Sequence, residues 1–137
     1  MEVPSDRYYT KTHEWAKPED GTVRVGITAY AVEQLGDITY VEVKPVGTEV
    51  KKGEALGFVE SNKAVEDIYA PISGRIVEVN SEAGVAQEGQ EAAGRLELIT
   101  EDPYGGGWIV AIETSDPSEI QELLKPEEYE ELLKREH

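Results

Sequence analysis

Residues 58–74 read Phe58-Val59-Glu60-Ser61-Asn62-Lys63-Ala64-Val65-Glu66-Asp67-Ile68-Tyr69-Ala70-Pro71-Ile72-Ser73-Gly74, two strand-like arms around a short polar break. Leu56 to Val59 are apolar enough for one strand. Val65, Ile68, Tyr69 and Ile72 supply the β-branched and aromatic residues of the other, and Pro71 with Gly74 marks a break. Ser61 and Asn62 are turn formers, because short polar side chains bond nearby backbone. The window therefore predicts a hairpin with Lys63 at its exposed tip. Set among Glu60, Glu66 and Asp67, an unmodified lysine here also reads as a solvated surface cation with little chemistry of its own. The flanking sequence has to decide between the two.

Outward from the hairpin the chain repeats itself faintly. Tyr40-Val41-Glu42-Val43 superposes on Ile76-Val77-Glu78-Val79 at an offset of 36 residues, which also places Gly53-Glu54 on Gly89-Gln90. Two similar β units flanking a hairpin predict an α+β, mostly β fold: a flattened barrel or sandwich with approximate internal two-fold symmetry and the hairpin as a protruding corner. Lys51 and Lys52 fall in the turn after the first copy, where they read as solvated. Further upstream, Arg7–Thr10 and Thr12–Trp15 read as short extended pieces, and Pro18-Glu19-Asp20-Gly21 as a turn. Thr22–Ile27 alternates, so Val23, Val25 and Ile27 share one face of a sheet. Thr28 caps a short helix over about 29–35 that Gly36 closes, with Ala31, Val32 and Leu35 on its inner face.

Downstream, 81–100 carries Ser81-Glu82-Ala83-Gly84 and a Gln/Glu/Ala/Gly-rich run, predicting a loop or an extra helical turn near Ala83–Ala93. Trp108–Ile112 reads as the last strand, its tryptophan anchoring core. Asp116, Pro117 and Glu119 have capping-box spacing, with Ile120, Leu123 and Leu124 as an apolar stripe. Pro126 then restarts a helix whose Tyr129, Leu132 and Leu133 share a face. The 137 residues suit a single domain over 1–137, with a β core about 7–112 and a C-terminal helical segment about 116–135.

Composition removes several function classes. A net charge of −16, heavier in the C-terminal half, repels phosphate backbones, so nucleic acid is not an expected ligand. The opening Met1–Thr10 has neither a basic nor an apolar signal region, and no apolar run approaches membrane-spanning length. A cytoplasmic protein is expected, or one of the mitochondrial matrix if the source is eukaryotic. The absence of cysteine excludes disulfides, thiolate metal sites and any dithiol of the chain's own. With only His13 and His137 as imidazoles, no metal site is expected. Redox or group-transfer work would need a borrowed group.

The window Val59–Gly74 resembles the lipoyl-attachment hairpin of the glycine cleavage system H-protein family. The resemblance extends in order through Tyr9–Trp15, Val25–Thr28, Leu35–Asp37, Val50–Glu54, Glu101–Gly105 with Gly107-Trp108, and Asp116–Glu119. It implies a hybrid barrel of the lipoyl/biotinyl-carrier type, with lipoic acid amide-linked to Lys63. Lipoyl is favoured over biotinyl because the lysine's neighbours are Asn62 and Ala64 instead of methionines. It further implies a non-catalytic shuttle, a monomer when free, loaded with an aminomethyl group by a pyridoxal-phosphate glycine decarboxylase. A tetrahydrofolate-dependent aminomethyltransferase unloads it and dihydrolipoyl dehydrogenase reoxidises it. By the same resemblance, Glu60 and Gly74 help a lipoylating enzyme recognise the hairpin, and Glu14, Asp67 and Gln34 contact the arm.

Three departures accompany the match. Asn62 stands where valine, cysteine or threonine is more familiar; Gln34 replaces a histidine found in some relatives; and 81–100 is longer than the family's usual spacing. The longer 81–100 segment leaves open a related lipoyl carrier serving a different, for example sulfur-metabolising, complex, and an unmodified interaction module is the alternative from another class.

Overall fold

The alternating residues Val23, Val25 and Ile27 are all buried, and the strand that carries them lies inside a larger sheet. The computed structural model describes residues 1–136; His137 lies outside the described residues. In chain order the elements are β1 (Tyr8–Tyr9), β2 (Glu14–Glu19), β3 (Thr22–Ile27), helix α1 (Ala29–Leu35), β4 (Ile38–Val43), β5 (Glu49–Val50), β6 (Ala55–Ser61), β7 (Val65–Tyr69) and β8 (Gly74–Val79). A 3-10 turn at Ser81–Ala83, β9 (Val85–Gln87), α2 (Glu97–Glu101), β10 (Val110–Thr114), a 3-10 segment at Pro117–Glu122 and α3 (Pro126–Glu136) follow. Six strands form one sheet in the order β1-β2-β3-β10-β8-β5, and four form a second in the order β7-β6-β4-β9.

The two inner faces meet in one core. Val25, Ile76 and Ile112 from the larger sheet and Val41, Val59 and Ile68 from the smaller are at most 2 % exposed and belong to one cluster. Each such side chain stabilises the fold by about 1.5–3 kcal/mol when fully buried. The internal repeat is visible in three dimensions. At the same offset β4 coincides with β8 and β5 falls within β9, while Gly53 and Gly89 share a φ of +85°. Each copy's second strand crosses to the first strand of the other copy: β5 pairs with β8 antiparallel, and β9 pairs with β4 in parallel. The smaller sheet ends in the β6–β7 hairpin, whose register sets Glu60 opposite Val65 and Phe58 opposite Asp67.

Several local expectations shift. Pro18 lies inside β2, paired with Val23, so the turn contracts to Asp20-Gly21. A proline is accommodated there because β1 reaches only Ala16, leaving the outer edge at Pro18 without a ladder to lose. Thr12-His13 is a turn, and β2 starts at Glu14. In 81–100, Val85–Gln87 is a strand and the α-helical turn sits later, at Glu97–Glu101. Gly94 packs so closely on Ser81 that a β-carbon would stand 2.0 Å from its carbonyl oxygen. The last strand begins at Val110, and Trp108 is only half-buried, its ring beneath the Arg24 guanidinium at 4.4 Å. Ala31 is partly buried and packs with Val32 and Leu35 against the main core, while Tyr30 on the same helix is buried in a second, aromatic cluster.

At the C-terminus the capping box is not made. Asp116 accepts from the Ser118 N–H, but Pro117–Glu122 is a 3-10 segment. Glu119 instead reaches across to Ser73, accepting from its N–H at 2.7 Å and its hydroxyl at 2.9 Å. Lys52 is not merely solvated, since its ammonium lies 2.6 Å from Glu122. Helix α3 does form its apolar face, burying Tyr129 and Leu133 against Tyr9, Trp15 and Tyr30 in a second, aromatic cluster. No helix among the described residues is long and apolar enough to cross a membrane.

Candidate functional site

The hairpin tip is built as its sequence predicts, with one exception. The Ser61 hydroxyl accepts from the backbone N–H groups of Lys63 and Ala64, and Ser61 N–H donates to the Ala64 carbonyl. Asn62 does not fold onto its own turn. Its side-chain oxygen accepts from Asp37 N–H at 3.1 Å while its own N–H donates to the Asp37 carbonyl at 3.0 Å, tying the tip to the turn that follows α1. Lys63 is exposed. Its aliphatic end lies over Gly36, where a β-carbon would stand 3.2 Å from Lys63 Cε and 3.5 Å from Nζ. Gly36, at φ +76°, is a position where glycine is needed for its backbone conformation as well.

Beside the tip runs a cleft of about 320 Å3. One wall is the Lys11–Glu14 turn, a second is the α1 face with Tyr30, Ala31, Gln34 and Leu35, and a third is β7 with Glu66, Asp67 and Tyr69. Ala64 lines its end, next to Lys63. The structure thus brings Glu14, Gln34 and Asp67 to one cleft, although they come from three separate parts of the chain. Gln34 and Asp67 are exposed. Glu14 is not a surface acid: it is 1 % exposed, with Oε1 accepting from the Thr10 and Thr12 hydroxyls at 2.5 Å each and Oε2 from Tyr69 N–H at 3.1 Å. Burial pushes its carboxyl above the ordinary glutamate range, and those three donors pull the other way.

The remaining predicted residues fall elsewhere. Glu60 is half-buried on β6, near the tip and opposite Val65. Gly74 lies beyond the base of the hairpin, at the start of β8. A β-carbon there would meet the Glu113 carbonyl oxygen at 2.1 Å and Ile112 Cγ2 at 2.7 Å, so strand packing alone requires glycine. Tyr30 and His13 also line the cleft, beside the site residues the sequence points to. Tyr30 was legible, since it sits one helical turn before Gln34 and must share its face. His13 gives no such signal. It occupies a left-handed backbone conformation, φ +71°, and packs its ring 4.6 Å from Tyr30, with Nδ1 2.8 Å from the Tyr129 hydroxyl. Among the described residues no group of three or more His, Cys, Asp or Glu could hold a metal.

Comparison with known proteins adds a family. The family model described as glycine cleavage H-protein matches residues 7–136. A probable glycine cleavage system H protein of Korarchaeum cryptofilum is 56 % identical over 140 residues, covering all of both chains. One from Thermus thermophilus is 52 % identical over 136 residues, 99 % of each. Among solved structures, a glycine cleavage system H protein from Mycobacterium marinum superposes with a TM-score of 0.82 at 42 % identity, covering 96 % of this chain and 99 % of that one.

Proposed function

Because this chain belongs to the glycine cleavage H-protein family, whose members are carrier subunits and not enzymes, we propose that it bears a lipoyl group on Lys63 and works as the cytoplasmic shuttle of glycine cleavage. The observation that carries this reading is one exposed lysine at the tip of a projecting hairpin, beside a cleft with carboxylates on its walls. Those residues fit the group. The amine is reachable by a modifying enzyme, and the cleft beside it mixes apolar surface from Ile27, Leu35 and Ile68 with polar surface from Gln34 and Asp67. Bound as an amide on Nζ, lipoate supplies the disulfide–dithiol couple that a cysteine-free chain lacks.

The chain's own residues bind, orient and shelter. Asp67 and Glu66, exposed on β7, offer carboxylates to a cationic amine brought along the cleft. Gln34 adds a neutral amide that can donate or accept. Glu14, its oxygens occupied by three donors, fixes the Thr10–Thr12 turn against Tyr69 and so shapes the wall. The hairpin keeps its load at high local concentration for whichever enzyme is docked, and the cleft limits water. Glu60, near the tip, is placed to meet the lipoylating enzyme; Gly74 serves it by holding the corner of β8.

The partners in this reading are glycine decarboxylase, aminomethyltransferase and dihydrolipoyl dehydrogenase. It is tested by glycine–bicarbonate exchange with the decarboxylase. Fully lipoylated protein should support exchange and Lys63→Ala should not. Lipoylated protein that supports no exchange would assign the carrier to a different complex.

A further inference from the structure

We infer that Asn62 is a positioning residue, whose paired hydrogen bonds to Asp37 direct the Lys63 side chain along the end of α1 toward the cleft; this rests on the carrier reading of Lys63. Beyond the last ladder pair, Glu60–Val65, the tip is closed on itself only through Ser61, which bonds Lys63 and Ala64, and these bonds do not fix where the tip lies relative to α1. Here the tip is fastened twice to a second element, through Asn62 N–H to the Asp37 carbonyl and through Asp37 N–H to the Asn62 side-chain oxygen.

The second bond also completes the helix end. Gly36 N–H is taken by the Val32 carbonyl, and Asn62 provides the acceptor for the next N–H along. The consequence falls on the neighbouring residue. With the tip fastened at Asp37, Lys63 lies over the one position on that turn without a side chain: a β-carbon on Gly36 would come within 2.9 Å of Asn62 Oδ1 and 3.2 Å of Lys63 Cε. Gly36 follows directly on Leu35, a residue of the cleft wall, so the lysine is held at the end of α1 that borders the cleft. Without the side-chain bond the tip keeps only the backbone tie to Asp37, and the lysine can take more of its solvent-facing rotamers.

The test compares wild type with Asn62→Leu, which keeps the side chain's size and removes the acceptor, and Asn62→Asp, which keeps an acceptor oxygen. In unlipoylated protein, nuclear Overhauser contacts between the Lys63 Hε protons and Gly36 Hα should be present in wild type and Asn62→Asp and weakened or lost in Asn62→Leu. In protein carried to full lipoylation, checked by intact mass, and then reduced, Asn62→Leu should react about fivefold faster with a bulky thiol reagent. That is the population change expected from losing one exposed hydrogen bond, and Asn62→Asp should restore the wild-type rate. Unchanged Lys63–Gly36 contacts in Asn62→Leu overturn the inference, as do equal thiol rates in all three proteins. If wild type cannot be lipoylated, the carrier reading fails, and the contacts in unmodified protein still decide whether Asn62 orients the lysine.

Discussion

Glu14 is the arm-contact candidate whose chemistry departs furthest from that of a solvated carboxylate. Its folded-state carboxyl lies above the ordinary value of 4.5 because burial outweighs its three donors. Between the ordinary and the raised value, the folded protein holds the proton more tightly than the unfolded chain. Its contribution to stability is therefore largest below 4.5 and is lost as pH rises through the folded value. The wild-type advantage over Glu14→Gln, measured as the difference between their thermal midpoints, should shrink as pH is raised from about 4 to about 7; a constant difference would show that the carboxyl titrates alike in both states. Gly74→Ala separates two roles of another residue. It should lower stability by about 2–4 kcal/mol through collision with the Glu113 carbonyl, and lipoylation should fall only as far as folded protein falls. Loss of lipoylation in a fully folded variant would give Gly74 a direct part in recognition. The exposed hairpin position of Lys63 was legible because its turn formers and both arms sit in one continuous window. The burial of Glu14 was not, because its donors Thr10 and Thr12 become partners only through a turn closed by His13 at positive φ.

Helix α3 closes over the same region from outside. Its Lys125 N–H is capped by the Glu128 side chain at 2.8 Å, and Tyr129 stacks on Tyr9 at 4.6 Å while its hydroxyl bonds both Thr28, at 2.7 Å, and His13. Thr28 at the same time caps α1 by accepting from Ala31 N–H. Tyr129→Phe should therefore cost about 1–2 kcal/mol by chemical denaturation, leaving the Thr28 hydroxyl in a buried site with one partner fewer. A midpoint within error of wild type would show that stacking alone docks the helix. Periodicity made β3 and α3 readable, caps made α1 readable, and turn formers between β-branched arms made the hairpin readable. Such local signals failed where tertiary contacts override them. Glu119 has capping-box spacing, yet Ser73 offers it two donors from a distant corner. Val85–Gln87, only three residues long, is too short to announce a strand, and it is one because β4 lies alongside with a free edge.

At the scale of the whole molecule, the chain duplicates a strand pair, exchanges partners between the copies and leaves one hairpin projecting. This architecture was foreseen from the offset of 36 residues between Tyr40 and Ile76, because glycine turns and alternating strands recur together in it. Which strand joins which sheet was not foreseen, since pairing is decided by three-dimensional closure. The net charge of −16 should make docking on a basic partner surface strongly dependent on ionic strength. The affinity of lipoylated protein for the decarboxylase should drop steeply between about 0.05 and about 0.5 M salt, and a flat profile would assign the acids to solubility alone. The central claim is that a projecting amine is the attachment point for a borrowed dithiol. Mass spectrometry of protein from a lipoate-competent host, intact and after peptide mapping, tests it most directly. One lipoyl group on the peptide containing Lys63, absent from Lys63→Ala, is the predicted result; an unmodified chain, or the group on any other lysine, would contradict it.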